Sequence, residues 1–382
     1  MPTPVEVTCD ESGFTGGNLT SRHAVFTHAS LLVPVESARD EMERLRRRVS
    51  AHGELKASWL LRWCDDDDLH RLLDRDGLLG DQVRVHLIDT RLFLLTRLAD
   101  VLVGTGEVSG LDLPGQNATT RGMALEVHRQ GDAVFGPQRW QRFLVLAGKA
   151  LRPPSRWVPA SAVSDFEGEL VALTNLPAPA GVREALQLLL ADVPRARGVR
   201  RAAESDPRRP PLVEPLLPAL DRAVLTWGAT HRDLVVVHDE QSVLTPWRMA
   251  EIARRLDQAH PGHTVEVRRV DSRDDPRVQI ADLVAGIARR AGASLLTGRP
   301  DRRLIDLIDP LVDPASVWPD EAWRDGDLAE GTWRDGGGRD GSGADGAGTT
   351  GPSGTAPSGT GPSGTAPSGT GPSGTAPSGA GP

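Results

Sequence analysis

The spacing of apolar residues changes along this chain, and each change marks an element. Residues 4–10, PVEVTCD, alternate β-branched and polar positions and predict a first strand. Residues 23–34, HAVFTHASLLVP, predict a second, and the Gly16-Gly17-Asn18 turn between them predicts a hairpin. Residues 36–50 carry Met42, Leu45 and Val49 at helical spacing and predict a surface helix. HGELKASW, residues 52–59, reads as a short extended piece. The run Asp65-Asp66-Asp67-Asp68 opens a helix expected over 65–76, where acids complement the N-terminal dipole. A cap with a solvated face is the expected role of that run.

Farther along, QVRVHLIDT (82–90) predicts a strand that feeds a strongly apolar helix at 92–103. A glycine-rich loop is expected over 104–120, then helix over much of 121–151 with Trp140, Phe143 and Leu146 on one face. Prolines break residues 152–215, leaving one helix predicted at 182–193. A further helix is expected at 212–228. LVVVHDEQS (234–242) then repeats the opening pattern of an apolar strand ending in acids. A helix at 245–260, with Pro246 in its first turn, precedes the alternating strand HTVEVRRVDS at 263–272. VQIADLVAGIARRAG (278–292) predicts an apolar helix interrupted by one acid, Asp282. This order of elements predicts an α/β fold, a mixed sheet flanked by helices.

Composition trims that picture. From Thr350 the unit TGPSGTAPSG occurs three times, ending at Gly379. It has no charge and no large apolar side chain, so it cannot bury a core and is expected to be disordered. The globular part is expected to be one α/β domain over residues 1–330, with a helical insertion around 104–232, followed by the repeat tail at 331–382.

The net charge of -8 does not favour a general polyanion binder, although clustered metal-binding acids would themselves add negative charge. The basic residues are nearly all arginine; Lys56 and Lys149 are the two lysines. Cys9 and Cys64 belong to no CxxC pair, which argues against a zinc cluster and leaves one disulfide open. The start lacks a basic segment followed by an apolar run, and no stretch of about 18 apolar residues occurs. No signal peptide and no membrane partner are expected, and a reducing cytoplasm is the default. The absence of tyrosine argues mildly against a base-stacking platform, although some of the nine tryptophans could serve there.

The acids carry the candidate chemistry. Asp282 sits among Ile280, Leu283, Val284 and Ile287 on a helix that should be buried. A buried carboxylate shifts its pKa, pairs, or binds something. Gln279 shares its face, and Gly286, four residues on, leaves room for a close approach. Pairing with Arg289 or a backbone amide is the structural alternative. Asp10 and Asp239 each end an apolar strand, where ligands of α/β proteins gather. Two such carboxylates side by side repel, and a divalent cation removes the repulsion. Alternatively, the Asp239-Glu240-Gln241-Ser242 run caps the next helix. Glu54 and Lys56 share one face if their segment is extended, which suits a metal-and-phosphate site or an ordinary ion pair. Glu11 alternates to the face opposite Asp10, as a supporting or solvent-exposed acid. The stretch 195–209 contains Arg195, Arg197, Arg200 and Arg201 and reads as a basic exposed loop or helix end. It would contact a phosphate backbone or, with its interspersed acids, merely solubilise the surface.

CDESG at 9–13, GELKAS at 53–58 and VQIADLVAG at 278–286 together resemble the signature blocks of the domain of unknown function family 3800. VVVHDEQS at 235–242 fits less tightly. The family is similar to the RNase H-like fold, its members are read as metal-dependent nucleases or their relatives, and some occur near mobile elements or phage-defence genes. The resemblance spans about residues 4–292. It implies an acid set of Asp10, Glu54, Asp239 and Asp282 with Lys56 beside Glu54. These acids would hold Mg2+ or Mn2+, which take oxygen ligands, and Lys56 would stabilise charge on a phosphate. Two such ions about 4 Å apart serve phosphodiester cleavage. The expectation is thus a nuclease acting on DNA or RNA. The alternatives are an inactive RNase H-like module that binds nucleic acid or a protein, and a purely structural role for the acids.

Overall fold

A computed structural model describes residues 3–13, 19–20, 25–49, 55–74 and 76–319. The predicted hairpin turn, Glu54 and the repeat tail lie outside these residues. Five strands form one mixed sheet: β1 (Val5–Ser12), β2 (Val25–Leu31), β3 (Val83–Asp89), β4 (Asp233–Asp239) and β5 (Thr264–Val270), in the order β3-β2-β1-β4-β5. β1 and β2 pair antiparallel, as do β2 and β3, whereas β4 lies parallel to β1 and β5 parallel to β4. The predicted strands are all present, within a few residues of their expected ends.

Strand alternation divides the sheet between two cores. On one face, Val7 and Cys9 of β1 and Leu234 and Val236 of β4 meet the long helical layer. That layer comprises α4 (Thr90–Leu102), α5 (Ala118–Phe135), α6 (Pro137–Ala150), α7 (Ala162–Thr174), α8 (Ala180–Ala191), α9 (Pro194–Ser205) and α10 (Leu216–Gly228), with α11 (Pro246–Ala259) after β4. On the other face, Val25, Ala29 and Leu31 of β2 pack with α1 (Val35–Val49), α2 (Ala57–Trp63), α3 (Asp66–Leu73), α12 (Pro276–Leu296) and α13 (Arg302–Ile308). Val235 and Val237 meet Val278 of α12 on that same face. The two cysteines are free, Cys9 in the first core and Cys64 in the second.

Several segments differ from expectation. Besides α8, expected at 182–193, the proline-broken stretch 152–215 also holds α7 and α9. Its prolines stand at helix borders, Pro179 as N-cap of α8 and Pro194 in the first turn of α9, where a missing N–H does little harm. Residues 52–59 do not form an extended piece throughout, because helix begins at Ala57. Lys56 keeps extended backbone, as N-cap of α2. The acidic run does cap α3, with the Asp65 side chain accepting from the Asp68 N–H. Asp68, however, turns inward to Arg44 and Arg48, at 2.5 and 2.9 Å. Among the described residues, no helix is long and apolar enough to cross a membrane.

The buried helix α12 is the keel of the second core. Thr27 of β2 donates to its Ala285 carbonyl at 2.7 Å. The room left by Gly286 is taken by α2: a Cβ there would sit 2.5 Å from the Cβ of Ala57. Gly286→Ala is therefore expected to push α2 off α12 and to cost about 1–3 kcal/mol. A urea melt checks this against Gly148→Ala, whose Cβ would meet nothing closer than 3.8 Å.

Candidate functional site

β1 and β4 run parallel and in register, with Cys9 opposite His238. One residue farther, Asp10 and Asp239 stand side by side near the strand ends, on strands about 4.8 Å apart, each still paired on its other side, with Ala29 and Val270. By alternation both lie on the α12 face, together with Asp282 of that helix. Asp10 is 5 % exposed, and its Oδ1 accepts the Glu11 N–H at 2.8 Å. Burial first, then Glu11, Asp282 and Asp239, push its pKa well above the usual carboxylate range. Asp239 Oδ1 accepts the Ser272 N–H at 3.0 Å, pinning the β5–α12 connection to the strand end. Asp239 is not the cap of the following helix, since Thr245 holds that position in α11. Asp282 lies 3.6 Å from Lys56 Nζ through its Oδ2. It also acts on Arg289, about two turns along α12, whose pKa burial lowers and Asp282 raises.

Three of the sequence-predicted acids therefore meet at one place, with Lys56 beside them; the fourth, Glu54, is outside the described residues. Gly13 closes the strand end at φ 104°. A Cβ there would strike the Val25 carbonyl and lie 2.7 Å from Arg289 Cδ, so this glycine admits Arg289 rather than clearing space for an ion.

Glu11 faces away from Asp10, as alternation requires, but the expectation of solvent exposure fails. The helical layer covers that face, leaving the Glu11 side chain 13 % exposed and 3.8 Å from His238 Nε2. Burial, Asp239, Glu214 and Asp282 raise its pKa strongly. Glu11 Oε2 and His238 Nε2 are both buried without a hydrogen-bond partner among the described residues. His238 stacks on His28 at 5.4 Å, and burial lowers its pKa to about 4, so the imidazole is neutral near pH 7.

Gln279 and the arginines have structural work. Gln279 donates to the Ser272 carbonyl at 2.8 Å and accepts from Arg46 at 2.5 Å, tying α12 to its leading loop and to α1. The basic stretch is mostly the helix α9 rather than a loop. Arg195 donates to the Gly104 and Gly106 carbonyls, and Arg197 pairs with Glu167 at 2.5 Å. Arg200, 5 % exposed, donates to the carbonyls of Lys149 and Pro159. Arg201 is exposed. Three of the four arginines thus have partners within the insertion; Arg200 is buried, while Arg197 and Arg201 remain exposed.

Sequence reasoning missed Glu214, which the insertion brings against Glu11. Burial raises its pKa to about 7, opposed by Arg152 and Arg248. Its position between Val213 and Pro215, in an otherwise apolar LVEPLL run, was the available signal.

The donor chemistry suits a hard cation: carboxylate oxygens, one of them nearly buried among like charges. Yet among the described residues no three carboxylate, imidazole or thiol groups stand close enough together to hold an ion. The cause is local. Asp10 is turned to the Glu11 N–H, Asp239 to the Ser272 N–H and Asp282 to Lys56, so each acid is held by its own neighbour. No protein-family model, curated protein or solved structure matches the chain.

Proposed function

We propose that the chain is a Mg2+- or Mn2+-dependent nuclease or related phosphodiester-cleaving enzyme of the RNase H-like class. The observation that carries this reading is the convergence of Asp10, Asp239 and Asp282 at the ends of two parallel neighbouring strands and on the helix packed beneath them. The mixed sheet, with its hairpin strands on one side of β1 and parallel strands on the other, supports the RNase H-like part, and with it the resemblance to family 3800. Asp10, Asp239 and Asp282, with Glu54, would hold the cation. A divalent ion bound there supplies charge neutralisation and an activated water.

The chain's own residues set the rest. Burial of Asp10 keeps bulk water from the floor of the site. Lys56, half exposed, is the cation placed to meet a phosphate oxygen while it orients Asp282. Glu11, Glu214 and neutral His238 back the acids from the helical layer, in a region of low polarity where added charge is poorly screened.

A second reading, an inactive RNase H-like module that binds nucleic acid or a protein partner, is favoured by the acids' local partners, which leave no three of them gathered as a ligand set among the described residues. Labelled single- and double-stranded DNA and RNA, incubated with Mg2+ or Mn2+, separate the two. Cleavage that disappears in chelator and returns with added metal supports the nuclease. Binding without cleavage under every metal condition supports the inactive module.

A further inference from the structure

α2 is seven residues long, yet it carries two tryptophans in solvent: Trp59 is 44 % exposed and Trp63 is 59 % exposed. They stand four residues apart and so share one face of the helix. Lys56, three residues before Trp59, begins the same face. Its Nζ is 3.6 Å from Asp282. Lys56, Trp59 and Trp63 therefore form one stripe that starts at the acid cluster and leads away from it for about 10 Å, at about 1.5 Å per residue.

The stripe is firmly mounted. Leu60, on the flank beside the stripe, is fully buried in the second core, and Ala57, farther round the helix, is seated against Gly286 of α12. Its charge is one-signed: from Leu55 to Cys64 the chain has Lys56 and Arg62 and no acid. The Arg62 guanidinium lies 5.3 Å from the Trp63 ring centroid. Of the acids that follow, Asp65 and Asp68 are bound by Arg48, and Asp66 pairs with Arg303. In a chain of net charge -8, this is a positive, aromatic strip beside the candidate phosphate site.

An indole face stacks on any base, and each such stack is worth about 1–3 kcal/mol. The two indoles are spaced about 6 Å along the helix axis. The faces of duplex bases are already stacked on their neighbours and closed to an indole, whereas the unstacked bases of an extended single strand can each lie on one ring. We propose that Lys56, Trp59 and Trp63 are the docking stripe for single-stranded nucleic acid, with a backbone phosphate beside Lys56 at the acid cluster and the adjoining bases on Trp59 and Trp63. This names the substrate class of the phosphodiester-cleaving reading and rests on it. A protein partner would use the same indoles as apolar anchors without distinguishing single strand from duplex.

The test is fluorescence anisotropy of a short labelled oligonucleotide, single-stranded or annealed, with the full chain in chelator so that nothing is cleaved. Trp59→Ala combined with Trp63→Ala is expected to weaken single-strand binding by at least about 30-fold, from about 1 kcal/mol per lost stack. Duplex binding should be unchanged, Trp→Phe at both sites should retain most affinity, and Trp157→Ala with Trp247→Ala, two exposed indoles elsewhere, should have no effect. Single-strand affinity unaltered by the double alanine variant, an equal loss for duplex, or no single-strand binding by the parent overturns the stripe. The two ideas fail separately. Metal-dependent cleavage that survives removal of both indoles with unchanged KM sinks the stripe and keeps the enzyme. Stripe-dependent binding by a protein that never cleaves keeps the stripe and sinks the enzyme.

Discussion

Asp10→Asn is expected to make the metal-free protein more stable and at the same time inactive. The carboxyl of Asp10 is 5 % exposed and lies within the field of Glu11, Asp282 and Asp239. Its folded-state pKa is raised, so between the ordinary carboxylate pKa and the raised one the folded chain holds a proton that the unfolded chain has released. Stability then falls as pH rises through that window. Asparagine keeps the shape and the oxygen that accepts the Glu11 N–H, and it removes the titration. The melting temperature of Asp10→Asn in chelator should exceed the parent's at pH 8, with the gap closing toward pH 4. One pKa unit is worth about 1.4 kcal/mol, and each kcal/mol moves the melting point of a domain this size by about 2–4 °C, so a rise of several degrees is expected. Added Mg2+ should raise the parent's melting point and leave the variant's unchanged, since a cation that binds only the folded state stabilises it. A variant that melts lower than the parent by the same amount at every pH would mean that Asp10 is a structural acid and would remove it from the site.

The stability gap and the lost function share one origin, which the sequence showed only in part. The strands were legible because VEVTC and LVVVH are β-branched runs that end abruptly in acids, and the α12 acid was legible because Asp282 interrupts an apolar helix. What joins them, the parallel pairing of β1 with β4, is a contact across more than 200 residues that no local pattern encodes. Glu11 was misjudged for the same reason. Alternation gave its face correctly, but whether that face meets water depends on the helices between β3 and β4. Those helices were the least legible segment, since prolines at their borders looked like breaks within a loop. Arg200 shows the limit of reading charge as surface: a guanidinium can be buried when two carbonyls await it, as those of Lys149 and Pro159 do. Gly286 was noticed as a space near the acids, and it is filled by Ala57.

Asp282→Asn should separate catalysis from folding most cleanly. Asp282 is a like charge to Asp10 and Glu11, so replacing it with a neutral amide relieves repulsion in the core of the cluster. Its bond to Lys56 is half in solvent at the lysine end, and pairs of that kind contribute about 0–1 kcal/mol. The fold should therefore hold, with a melting point at or slightly above the parent's. Turnover should fall by at least about 100-fold, the upper range for losing a group that merely supports a metal ligand, because here an anionic donor itself is lost. Lys56→Met provides the complementary arm. It leaves every carboxylate in place, so the Mg2+-dependent rise in melting point should persist, while cleavage slows because the phosphate loses its cation. Together the two substitutions distinguish an ion-holding acid from a phosphate-facing lysine that lie 3.6 Å apart. An Asp282→Asn protein that cleaves as well as the parent would exclude the acid cluster as the reaction centre, however well Asp10 and Asp239 converge. The convergence would then have to be explained by folding alone, and a melting-point gap in Asp10→Asn, if measured, would weigh against that, because a cluster that served only the fold would not be expected to destabilise it.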